Sequence, residues 1–78
     1  MHQSTEAILR HFEYSHLPAE LQQVSAPFHE LAHDLARKLD GPELTAGLCK
    51  LLEAKDCCVR AALEPSFKDR VHANFTGR

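Results

Sequence analysis

Three consecutive residues, Asp40-Gly41-Pro42, constrain this 78-residue chain more than any others. Before them, Phe28, Leu31, Ala32, Leu35 and Leu39 recur at helical spacing. After them, Leu44, Leu48, Leu51, Leu52, Val59 and Ala62 make a second apolar face, with Cys58 beside it. Glycine can take a positive φ past a helix end, and proline suits the first residue of the next helix. A turn this short obliges the two helices to pack antiparallel. The spacing therefore predicts an all-α fold, with a helix from Pro42 to about Leu63 that ends at Glu64-Pro65.

Upstream, Ile8, Leu9 and Phe12 stripe a short helix from Thr5 to about Phe12, with Ser4 as its N-cap. The chain leaves helical geometry between Glu13 and Leu17, ahead of Pro18. Pro18 suits a first helical turn, and Pro27 either kinks a continuous helix or restarts one capped by Ser25. The architecture expected is a short N-terminal helix followed by an antiparallel helical hairpin, with residues 1–65 as the domain. Residues 66–78 have no clear period and are expected to be mobile or bound to a neighbour. Their Asn74-Phe75-Thr76 fits a glycosylation acceptor, which has no use in a cytosolic protein.

A domain of this size buries only about 60% of its unfolded surface, so its core is marginal and a staple is expected. The three cysteines, Cys49, Cys57 and Cys58, are odd in number, and the adjacent pair cannot easily bridge. With no apolar run at the N-terminus and no membrane span, a reduced, cytoplasmic protein with free thiols is expected. Oligomerisation is then the favoured staple. A net charge of −2 excludes a broad basic field, and with it general binding to duplex nucleic acid.

Two segments carry candidate chemistry. His29-Glu30-Leu31-Ala32-His33 spells H-E-x-x-H, the signature of zinc proteases. Its histidines lie one turn apart on a flank of the apolar stripe. A catalytic zinc needs a third protein ligand and an open position. His11, His16, His72 and the cysteines are the candidates, none with diagnostic spacing, and no strand is present to align a substrate. No metal or cofactor is expected. The second segment, RHFEYSHLP, sets Phe12 and Tyr14 two apart outside helical geometry, flanked by Arg10, His11 and His16. Loop aromatics of this kind stack on nucleobases, and neighbouring Arg and His meet phosphate.

The order Phe12-Glu13-Tyr14, His16, Pro18, Gln22, then FHELAHDLA from Phe28 to Ala36, then Pro42-Glu43-Leu44-Thr45, then KLLEA from Lys50 to Ala54, resembles a known family. It is similar to the phage-encoded anti-CBASS sponges, whose helical hairpin is shared with an anti-Thoeris sponge. The likeness covers about residues 9 to 63. It implies a homo-oligomer, expected to be a hexamer in the bacterial host cytoplasm, that sequesters cyclic dinucleotides, or cyclic trinucleotides, without cleaving them. In that family a tyrosine stacks on a base and a basic residue early in the long helix meets phosphate. Tyr14 matches the first, His29 the second, and His33 the next basic position. Phe12, His16 and Arg10 complete the expected ligand-binding set. Histidine here replaces lysine or arginine, which implies weaker or pH-dependent phosphate affinity. One residue is inserted between Tyr14 and Pro18. Glu64 stands where members with a second, trinucleotide site carry arginine, with Arg60 a turn earlier. The alternatives are a helical interaction module with no small ligand and a zinc-dependent hydrolase using HELAH.

Overall fold

The computed structural model describes residues 3–64. They form α1 (Gln3–Arg10), α2 (Ala19–Lys38) and α3 (Pro42–Ala62), with no strand among the described residues. The all-α class is as the sequence predicts. The expectations for residues 66–78, and for His72, lie outside the described residues.

The helix limits differ at α1. It begins before Thr5 and ends at Arg10 rather than Phe12, so Ser4 is a helical residue and not the cap. The N–H groups of His11, Phe12 and Glu13 bond back three residues, to Ile8, Leu9 and Arg10, at 3.0, 3.0 and 3.3 Å. This tightened end lets the chain turn while Phe12 enters the core.

Pro18 stands at the N-cap of α2, one residue before the helix, and its carbonyl accepts from the N–H groups of Leu21 and Gln22. Pro27 neither restarts nor ends the helix, because α2 runs through it. A proline inside a helix deprives the carbonyl four residues back of its donor. That carbonyl belongs to Gln23, which like Pro27 is exposed, so water can replace the lost donor. Ser25, expected as the cap of a restarted helix, is fully buried within α2 instead.

Leu39, Asp40 and Gly41 connect α2 to α3. Gly41 has φ +102°, and its N–H donates to Asp40 Oδ1 at 2.9 Å. Its carbonyl receives the first helical N–H groups of α3, from Leu44 and Thr45. Pro42 opens α3, where a missing N–H costs nothing.

The helices pack on one another pairwise, α2 against α3 most extensively. Leu9, Phe12, Ala32, Leu44 and Leu48 form the buried core, with Ile8, Phe28, Leu35, Ala36, Leu51 and Leu52 packed against it. The line of α2 facing this core passes through Ser25, Phe28, Ala32, Leu35 and Ala36. Leu31 and Leu39, expected in the core stripe, fall off that line and are 46% and 55% exposed. The small residues Ser25 and Ala32 are the fully buried positions of α2, so the centre of its packed face runs through them rather than through Leu31. Cys58 is likewise exposed rather than beside the core, as are Cys49 and Cys57. No helix among the described residues is long and apolar enough to cross a membrane.

The two helix-associated glycines should respond oppositely to alanine. Gly41 holds a φ that L-residues rarely adopt, so Gly41→Ala should destabilise the fold by about 1–3 kcal/mol. Gly47 lies inside α3 with nothing within 4 Å of an added Cβ, so Gly47→Ala should stabilise it by about 0.5–1 kcal/mol. Urea unfolding followed by circular dichroism at one fixed protein concentration reads both. Equal shifts would mean that the turn conformation is not retained in solution.

Candidate functional site

The site grows from the bend between α1 and α2. Its floor is Phe12, whose ring has no exposed surface and lies in the core. Lys55 of α3 closes over it, with Nζ 5.9 Å from the ring centroid and donating to the His11 carbonyl at 2.7 Å. On the far side, Gln22 Nε2 donates to the Leu17 carbonyl at 2.8 Å, and the Leu17 N–H donates to the Tyr14 carbonyl at 3.0 Å. The bend is thus tied to α3 at one end and to α2 at the other. Glu13 and Tyr14, between the two ties, are held beside the outer face of α2.

That face presents His29 and His33, one turn apart. The Tyr14 and His29 rings meet almost perpendicularly, at 75° and 5.2 Å between centroids. His29 and His33 lie 4.2 Å apart at 42°. Glu13 Oε2 stands 3.9 Å from His29 Nε2. One donor atom each from Glu13, His29 and His33 falls within a set whose members are all within 4.8 Å of one another. Both histidines are half-buried, whereas the Glu13 side chain is 57% exposed. His33 Nε2 is buried and has no hydrogen-bond partner among the described residues.

Beside the histidines runs a shallow open groove lined by Pro27, His29, Glu30, Leu31, His33, Asp34 and Arg37. Its lower rim is an ion-pair cluster in which Asp34 meets Lys38 at 2.8 Å and Arg37 at 2.9 Å. The hydrogen bond from Lys38, first among several causes, holds the Asp34 carboxyl below its ordinary range. Burial lowers the basicity of His33, and the charge of neighbouring His29 adds to this; Glu13 pulls the other way and Arg37 lowers it further.

Of the residues expected from sequence, the fold brings together Tyr14, His29 and His33. Phe12 is buried beneath them and offers no face to a ligand in this conformation. Arg10, the last residue of α1, and His16, on the bend, are both exposed, and neither joins the ring cluster. Glu13 is the residue that sequence reasoning missed. Its carboxylate stands inside the F-x-Y motif itself, at the variable position, where spacing to the histidines gives no signal. Comparison with protein-family models, curated proteins and solved structures finds no match for this chain.

The state of His33 has a thermodynamic consequence. Its folded-state pKa is lowered, so the folded chain binds fewer protons than the unfolded chain near the ordinary histidine value of about 6.5. Above that value the neutral form adds no protonation cost to folding, and stability is lost as pH falls through it toward the lower folded pKa. In EDTA-treated protein, the thermal midpoint of the wild type should therefore drop more between about pH 7.5 and 5.5 than that of His33→Gln. Parallel profiles for the two proteins would show that His33 is not desolvated in solution.

Proposed function

We propose that this protein is a non-enzymatic sponge that binds and sequesters bacterial cyclic oligonucleotide second messengers, cyclic dinucleotides foremost. The observation that carries this reading is the cluster of Tyr14 with His29 and His33. Residues 15 and 19 positions apart in sequence converge on one partly open surface. Tyr14 supplies an aromatic ring on a braced bend, and a base stacked on it would have its phosphate close to the imidazoles. Bracing lowers the ordering cost of binding, because the bend is already tied to α2 and α3.

In this reading the antiparallel hairpin of α2 and α3 is the unit of assembly, and ligand lies between hairpins of different protomers in a hexamer. Apolar surface supports association. Leu31, Leu39 and Leu63 are exposed, and an open groove between α2 and α3 is lined by Leu35, Leu39, Leu44, Leu48, Leu51 and Ala54. The site of action is the cytoplasm of the bacterial host, and the ligand is hidden from its effector rather than destroyed.

The decisive experiment mixes the protein with a panel of cyclic dinucleotides and trinucleotides, removes it by filtration, and recovers ligand by heating. Ligand retained and then released intact supports the sponge. A chemically altered ligand would replace it with an enzyme, and no retention would leave a helical interaction module. Tyr14→Ala should weaken binding by about 1–3 kcal/mol, the usual worth of an aromatic–base stack, while Tyr14→Phe should lose far less because the ring remains. Calorimetric titration showing equal affinities for the three proteins would place the ligand elsewhere. Light scattering at micromolar concentration should report an oligomer, and a stable folded monomer there would remove the shared pocket.

A further inference from the structure

We propose that Glu13, His29 and His33 form a binding site for a divalent transition-metal ion of the Zn²⁺ type, with a coordination position open to an anionic oxygen ligand. Metal binding itself does not depend on the sponge reading; only the identity of the oxygen ligand does.

The argument begins with donor type. Two imidazoles and one carboxylate are a three-ligand set suited to zinc with an exchangeable fourth position. Bonds of about 2.0–2.2 Å in tetrahedral geometry put two ligand atoms on one ion about 3.4 Å apart. The 3.9 Å gap between Glu13 Oε2 and His29 Nε2 is too long for a hydrogen bond and close to that spacing. The set lies within 4.8 Å, so a pair at that limit has to close by about 1.4 Å to reach tetrahedral spacing. Glu13 can close its own distances to the imidazoles, because its side chain is 57% exposed and is carried on a bend rather than a helix.

His33 gives an independent reason. A buried ring nitrogen with no partner costs free energy unless something satisfies it. One His33 ring nitrogen lies within 4.8 Å of donor atoms of His29 and Glu13, and an ion bound there through Nε2 would satisfy it. His29 also meets the Tyr14 ring edge-to-face, which helps to position it. The groove lined by His29 and His33 leaves the site open to solvent, where a further ligand can enter.

The ion also resolves a difficulty of charge. Without it, an incoming phosphate meets the Glu13 carboxylate beside the imidazoles. A divalent cation turns the same three side chains into a net positive site. On the sponge reading, the open position is then taken by a phosphodiester oxygen of the cyclic nucleotide. The F-x-Y segment would thereby serve two chemistries, Tyr14 stacking the base and Glu13 helping to hold the ion.

The test uses the full chain, stripped with EDTA, checked for helix content by circular dichroism, and titrated with Zn²⁺ against a chromogenic chelator. One equivalent per chain at micromolar affinity or better is expected. Glu13→Gln, His29→Ala and His33→Ala should each weaken it at least tenfold, whereas His11→Ala and His16→Ala should leave it unchanged. Co²⁺ should give the intense visible absorption of a tetrahedral site in the wild type and lose it in Glu13→Gln, a surface change that spares the core. No stoichiometric binding, or binding indifferent to Glu13→Gln, would overturn the site. Repeating the cyclic-nucleotide retention assay with Zn²⁺ and with EDTA separates the two readings. Zinc bound without nucleotide retention leaves the metal site standing and removes the sponge, while nucleotide retained by a protein that binds no zinc does the reverse.

Discussion

The burial of Phe12 is the interaction on which the rest depends. Removing a phenylalanine side chain from water is worth about 1.5–3 kcal/mol, a large share of the stability of so small a domain. Its ring is the largest fully buried side chain among the described residues, and it comes from a bend rather than a helix. Once it is inserted among Leu9, Ala32, Leu44 and Leu48, the backbone on either side has little freedom. Lys55 and Gln22 then complete the hydrogen bonding of the bend from α3 and α2. Glu13 and Tyr14 are held against α2 because their immediate neighbour is an anchor.

This arrangement separates structural from chemical duty within one short motif. Phe12 points inward, while Glu13 and Tyr14 reach the face that carries His29 and His33. On α2 the same division follows the helical turn: Ser25, Phe28, Ala32 and Leu35 face the core, and the histidines follow Phe28 and Ala32 by one residue, about 100° around the axis. Ser25 and Ala32 are fully buried, and the imidazoles, a step around the helix from the core line, fall at the edge of the packed region. The edge position leaves Tyr14, His29 and His33 half-buried, where a ligand can reach them.

Much of the helical framework was legible in the sequence. The restart at Pro42 and the positive φ at Gly41 both follow from backbone chemistry that few other residues satisfy. The end of α3 was legible from Glu64-Pro65, and the position of the α1–α2 bend from Pro18. The errors were of a different kind. Leu31 and Leu39 fit an apolar period yet stand exposed, and Ser25 resembles a cap yet is buried. Periodicity identifies an apolar face to within a residue either side; which residue lies on its centre line depends on where the neighbouring helices approach.

The sequence by itself determined that this chain is helical, where it must turn, and that Tyr14, His29 and His33 were residues of interest. Those features are local: proline and glycine restrict φ, apolar spacing selects the helix, and aromatic or imidazole side chains carry their chemistry wherever they are. Only the tertiary structure decided that Glu13 joins the two histidines, that Phe12 is withdrawn as their floor, and that Pro27 passes through α2 without breaking it. Glu13 and His29 are sixteen residues apart along the chain, and their separation of 3.9 Å is set by neither residue. It results from the docking of one aromatic ring and from two hydrogen bonds made by residues on other helices, relations that one-dimensional spacing does not encode.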